Sequence, residues 1–136
     1  MSDQSPAEMF KNNEDRKTLH IITQETRFIL LQNILGHPEQ LPSIPELTLL
    51  NPNKNEGTIY QHLKRLIDVD VVEVYTLPSN QRELDLPFKF YGISKEGEAF
   101  LNRYDIFESD EALHDIYTHV DRSERMKRLE SAPRPQ

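Results

Sequence analysis

The sequence predicts an α+β fold, mainly α, in which one β-hairpin interrupts a series of helices. Three observations predict it. Apolar residues recur at helical spacing over most of the chain; the period changes to two only in "VVEVYTL" and "FKFYGI"; and capping residues and prolines separate the segments.

The totals fit one small domain. The chain has 136 residues, of which 36% are hydrophobic and 29% charged, enough for a small core but not for a large enzyme interior. It contains no cysteine, which excludes a disulfide framework, a thiolate metal site and a thiol switch. There is no apolar run of membrane-spanning length and no signal-peptide pattern, so a cytoplasmic protein without a membrane partner is expected. No phosphate loop, nucleophile elbow or metalloprotease motif is present, so neither catalysis nor a cofactor is expected.

Taken in order, residues 1–15 are polar and expected to be flexible. "RKTLHII" is compatible with a short strand or with a helical turn. "TQETRFILLQNILGH" is a helix with Thr23 as N-cap and Leu31, Ile34 and Leu35 on its packing side, closed by Gly36 and Pro38. In "LPSIPELTLLNP", Ser43 and Glu46 form a capping box, Pro45 lies in the first turn, and Pro52 ends a very short helix. A further helix from about Asn55 to Ile67 places Ile59, Leu63, Leu66 and Ile67 in one stripe. Lys54, Gly57, Thr58, Gln61, Lys64 and Arg65 fall on the other side. The two strands flank the polar loop "PSNQRELDLP". Ser94 then caps a helix packed through Ala99, Phe100, Leu101 and Tyr104, and a long final helix carries Leu113, Ile116, Tyr117 and Val120 at i, i+3, i+4 and i+7. The tail from Ser131 to Gln136 has no apparent packing residue and is expected to fray.

Two helices joined by a tight turn and followed by a two-stranded ribbon form the layout of a winged helix-turn-helix, here spanning 16–104, with 105–130 as an added C-terminal helix. The major groove of DNA is about 12 Å wide and admits one helix. Thr58 and Gln61 are then the candidates for base edges, since the Gln amide can pair bidentately with adenine. Lys54, Lys64 and Arg65 are placed to meet phosphates, and Asn55 with the first helical N–H groups offers an anion site. Tyr60 and His62 flank the exposed side, open to DNA or to a neighbouring element. Arg82 on the wing loop is a minor-groove or phosphate contact, and Lys89 a further candidate on the returning strand. The competing possibility is a winged-helix protein-interaction module, which would carry large apolar residues on the solvent face of the 55–67 helix.

These residues also carry a resemblance. "GTIYQHLKRLIDVDVVEVY" resembles the recognition helix and first wing strand of ArsR- and PadR-type regulators, with their Thr-x-Tyr-x-His-Leu helix and Val-Val-Glu strand. "FKFYGISKEGEAFL" is similar to their second wing strand and following helix. "ETRFILLQNILGHPEQLPSIPEL" and "LPFKFYGIS" resemble a group of such regulators from halophilic archaea, near one of the response to reactive oxygen species. The resemblance covers roughly residues 23–104 and implies double-stranded DNA as partner and a homodimer paired through Leu113, Ile116, Tyr117 and Val120. The chain departs from the pattern at Gly57, where a Ser is common, and at Val69-Asp70, which replaces an Ala-Gly turn.

Charge sets a constraint on this scheme. The net charge is −7, from 23 acids against 16 Lys and Arg. Between Asp105 and Asp121 lie Asp105, Glu108, Asp110, Glu111, Asp115 and Asp121 without a Lys or Arg, whereas Lys54, Lys64 and Arg65 face only Glu56. An acid-rich surface of this kind suits high salt, with salt ions bound at the DNA interface. Some ArsR-type regulators sense zinc on the last helix. Five residues at about 100° each leave His114 and His119 diverging by about 140°, so they cannot share an ion within one chain.

Overall fold

The apolar stripe of one helix lies at the centre of the molecule. The computed structural model describes residues 6–107, 110–118 and 122–135. Its elements are α1 (Pro6–Ile22), α2 (Glu25–Gly36), α3 (Ile44–Leu50), α4 (Glu56–Asp68), β1 (Val72–Thr76), β2 (Lys89–Ile93), α5 (Lys95–Arg103), α6 (Asp110–Thr118) and α7 (Glu124–Glu130). In α4, Ile59, Leu63 and Leu66 are 0% exposed. They share one core with Ile22 of α1, Leu30, Leu31 and Ile34 of α2, and Leu47 of α3. Each such burial contributes about 1.5–3 kcal/mol, so this stripe fixes the rotation of α4 about its own axis.

Local chemistry sets the ends of these helices. The Asn55 side chain accepts the Thr58 N–H at 2.8 Å and starts α4. At α3 the Ser43–Glu46 capping box is closed in both directions. The strands pair antiparallel in the register Val72↔Ile93, Val74↔Tyr91 and Thr76↔Lys89. The Tyr91 N–H donates to Pro42 O at 2.9 Å, pinning the hairpin to the loop before α3. The result is a mainly helical winged helix-turn-helix.

The turn between α4 and β1 closes tightly without glycine. Asp70 takes the left-handed conformation, with φ 62°. The N–H groups of Val71 and Asp70 then return to Leu66 O (3.0 Å) and Ile67 O (2.9 Å), as at glycine-ended helices. The Ser94 hydroxyl donates to Asp70 O and accepts the Gly97 N–H at 2.8 Å. At Gly97 a Cβ would stand 2.2 Å from Val71 O. One knot thus joins the end of α4, the start of the wing and α5.

Four expectations are corrected. The helix α1 begins at Pro6, within the stretch expected to be flexible, and takes in "RKTLHII"; residues 1–5 lie outside the described residues. It is held by Leu19, Ile21 and Ile22 packing on the core, and by Asp15, which meets Arg103 at 3.0 Å and the Tyr104 hydroxyl. Thr23 does not cap α2, because its hydroxyl turns back to Leu19 O at 2.6 Å; Gln24 accepts the Arg27 N–H instead. The single final helix is divided into α6 and α7, the second capped by Ser123. The tail does not fray at Ala132 or Arg134, both of which pack against the domain.

The reason for the last correction is a buried ion pair. Arg134 donates to Glu46 Oε1 at 2.6 Å, to Leu41 O at 2.9 Å and to Ala132 O at 2.7 Å, with its guanidinium 4.4 Å from the Phe90 ring centre. His37 Nδ1 accepts the Glu39 N–H at 3.1 Å, so Nε2 carries the hydrogen that meets Glu46 Oε2 at 2.7 Å. Burial alone would raise the Glu46 carboxyl. The hydrogen bond from His37, the Arg134 charge and the Ser43 N–H outweigh it and hold the carboxyl below its usual range.

Gly97→Ala should lower stability by about 1–3 kcal/mol through overpacking, whereas Asp70→Gly should raise it by about 0.5–1 kcal/mol by relieving the left-handed backbone; urea unfolding measures both. Arg134→Ala should lower stability by about 3–5 kcal/mol, because it strands a buried carboxylate. Since the Glu46 value is depressed on folding, its stabilising contribution is present above the unfolded carboxylate's value and lost as pH falls through the folded one. Urea midpoints between neutral and acid pH should therefore fall less steeply in Glu46→Gln.

Candidate nucleic-acid interface

With the stripe of α4 buried, its opposite face is left to solvent. Gly57, Tyr60, Gln61, Lys64 and Arg65 are exposed, as are Lys54 and Asn55 in the preceding turn; Thr58 and His62 are half-buried. The structure thus brings together the residues that the helical spacing placed together. Their roles are modified in two places. Asn55 uses its side-chain oxygen to cap Thr58, which fixes the side chain and leaves its amide N–H₂ as the group able to donate to a phosphate. Tyr60, 44% exposed, lies beside Tyr91 of β2, whose phenol is pushed up by burial and then by Tyr60.

A neighbouring helix adds a residue that the sequence reasoning missed. Arg27 of α2 places Nη1 3.1 Å from His62 Nδ1, its Nε engaged by Ile21 O. Burial and then the Arg65 charge push the Arg27 guanidinium down. Burial pushes the His62 imidazole down, followed by the charges of Arg27, Lys54 and Arg65. Among the described residues, no carboxylate lies within ion-pair distance of Arg27, Lys54, Lys64 or Arg65. Cations held together without a counter-charge repel one another in the free protein, and an arriving anion relieves that repulsion. A signal for Arg27 did exist: with Leu30, Leu31 and Ile34 it shares the packing stripe of α2, where a charge needs a reason.

The wing differs from expectation. Arg82 is drawn back to the base of the loop, its Nε donating to Leu77 O at 2.9 Å and its guanidinium 3.8 Å above the Phe88 ring. Arg82 stays exposed beside Glu83, Asp85 and above all Leu84, at 89%. Lys89 is exposed at the far end of the β-ladder, opposite Thr76.

On α6, Leu113 and Tyr117 do not face outward for a second subunit. Both are buried against their own domain: the Leu113 backbone meets Gly36, where a Cβ would lie 2.8 Å from Leu113 O, and Tyr117 packs edge-on to His37 at 5.8 Å. Ile116 is 67% exposed, and Val120 lies outside the described residues. His114 is engaged through Nδ1 with Gly36 O at 2.9 Å, and His119 is also outside the described residues. His37, Glu46 and Glu130 bring one ligand atom each within 4.8 Å of one another, a grouping the scattered histidines did not suggest. Arg134 and Arg122 already neutralise the two carboxylates, at 2.6 and 3.0 Å, so this cluster is an ion-pair network. Among the described residues no helix is long and apolar enough to cross a membrane.

The chain matches no protein-family model and no curated protein. The solved structures that share its fold include these two. A protein with a GntR superfamily winged-helix-turn-helix domain from Halomicrobium mukohataei superposes with a TM-score of 0.82 at 24% identity, over 99% of this chain and 92% of that one. HlyU from Vibrio cholerae N16961 gives a TM-score of 0.50 at 22% identity, over 80% of this chain and 98% of that one. Fold and site together define a winged helix-turn-helix domain whose outward helix face adjoins a basic cluster without an ion-paired carboxylate among the described residues.

Because Arg65 helps depress the His62 imidazole, Arg65→Ala should raise the His62 titration midpoint. NMR of the imidazole C2 proton measures this; an unchanged midpoint would show that the cluster is not electrostatically coupled.

Proposed function

We propose that this chain is a sequence-specific double-stranded DNA-binding transcription regulator that acts as a homodimer on a pseudo-palindromic site, and does so at high salt. The observation that carries the reading is the pairing of a fully buried stripe on α4 with an opposite face of Gln61, Lys64 and Arg65 beside Arg27 and Lys54, which have no carboxylate within ion-pair distance among the described residues. In the major groove, Gln61 and Thr58 read base edges, while Lys54, Lys64, Arg65 and Arg27 meet phosphates. The bare backbone at Gly57 allows close approach, since a Cβ there would have only Asn55 Oδ1 within contact distance, at 3.4 Å. The face is polar apart from Tyr60, which favours DNA over an apolar protein partner.

Homodimerisation rests on Ile116, whose exposed side chain adjoins Leu50 across a shallow depression. The net charge of −7 supports the high-salt reading. At molar salt the Debye length is about 3 Å, so counterion release contributes little. Close contacts, and cations bridging phosphates to acids such as Glu83 and Asp85, then take its place.

The test uses duplexes selected by the protein from random DNA at high potassium. Gln61→Ala should relax preference at one base-pair position by about ten-fold or more. Arg65→Ala should weaken all sequences alike and flatten the salt slope by about one. Ile116→Glu should convert dimer to monomer in sedimentation and abolish cooperative occupation of the two half-sites. Unchanged DNA affinity in the Gln61→Ala/Arg65→Ala double variant would refute DNA readout by α4.

A further inference from the structure

Away from the basic cluster, a cleft of about 420 Å³ opens where the wing root, the loop before α3, α5 and the C-terminal tail converge. We infer that it is an effector site for a ring-sized apolar molecule carrying a cationic head; its regulatory meaning rests on the DNA-binding reading, its occupancy does not. The volume lies within the range of small-molecule sites.

The floor of the cleft is closed over Gly92 of β2 by Leu41 and Tyr75: a Cβ there would stand 2.9 Å from Leu41 Cδ2 and 3.1 Å from Tyr75 Cε2. Gln40, with φ 55°, turns the loop so that Leu41 reaches this floor. Leu35, Ile93 and Phe107 form the walls and keep part of their apolar surface in water, and Pro135 of the tail closes one side. A bound ring would cover that surface.

The polar groups stand at the rim. Glu98 and Asn102 project from exposed positions of α5, and no cation pairs with Glu98 among the described residues. A carboxylate at the mouth of an apolar cleft, on a chain of net charge −7, selects an amine head over an acidic one.

The position couples occupancy to the reader. Gly92 follows Tyr91, whose N–H holds the wing to Pro42, and Leu41 precedes that same carbonyl. Pro135 follows Arg134, the residue that ties the tail to α3 through Glu46. A molecule filling the cleft therefore bears on the angle between wing and α3.

The full chain, methyl-labelled at Leu and Ile, is titrated with tryptamine and separately with indole-3-propionate, the same ring with an anionic head. The expected result is saturable shifts at Leu35, Leu41 and Ile93 with tryptamine, and binding weaker by about ten-fold for the acid. Asn102→Trp, which fills the mouth from an exposed position, should abolish the shifts while leaving the thermal transition in place. Glu98→Gln should retain ring binding and remove the preference for the amine. Shifts that do not saturate, shifts centred on core methyls such as Leu63, or equal binding of the acid would overturn the site. Selected duplex is then added: duplex binding with silent cleft methyls refutes the cleft alone, and saturable cleft shifts without duplex binding refute the DNA reading alone.

Discussion

Burial of Ile59, Leu63 and Leu66 decides the orientation of everything else on the exposed face of α4. A helix has one rotation about its axis that removes these three side chains from water. That rotation turns Gln61, Lys64 and Arg65 outward. The knot of Asp70, Ser94 and Gly97 then fixes where α4 ends and the wing begins, so the hairpin cannot swing independently of the helix. Core packing thus sets the aim of the polar face, and the polar residues need contribute nothing to stability in order to be well placed.

Two sets of charges in this molecule have opposite fates. Glu46 and Arg134 are buried as an ion pair, with His37 hydrogen-bonded to Glu46, and together they bind the tail to α3. Arg27, Lys54 and Arg65 crowd His62 with no carboxylate within reach among the described residues. The first arrangement is complete in the monomer. The second leaves like charges facing one another, so a chain of net charge −7 still has a locally basic patch whose repulsion an anion would relieve.

The periodic elements were legible in the sequence. The capping box at Ser43 and Glu46, the stripe of α4 and the change of period at Val72 are local signals, and local physics fixes them. The contacts that were not legible depend on residues distant in the chain. Arg134 looks like part of a frayed tail until Glu46, 88 positions earlier, is seen to be buried beside it. Arg27 looks like an interruption of an apolar stripe until His62 is placed against it. Val69-Asp70 offers no glycine for a tight turn, yet Asp70 takes the left-handed conformation that glycine usually fills. The division between α6 and α7 follows from Ser123, a cap whose strength is evident only once Met126 and Leu129 are seen to be buried.

The central claim is that the solvent face of α4, together with Arg27, is where duplex DNA sits. Amide chemical shifts of the nitrogen-15-labelled chain, followed on addition of a duplex it has selected, address it most directly. The account requires the largest changes from Lys54 to Arg65 and at the Arg27 side chain, with small changes on α6. Changes concentrated on α6 and α7, with the α4 amides unmoved, would contradict it.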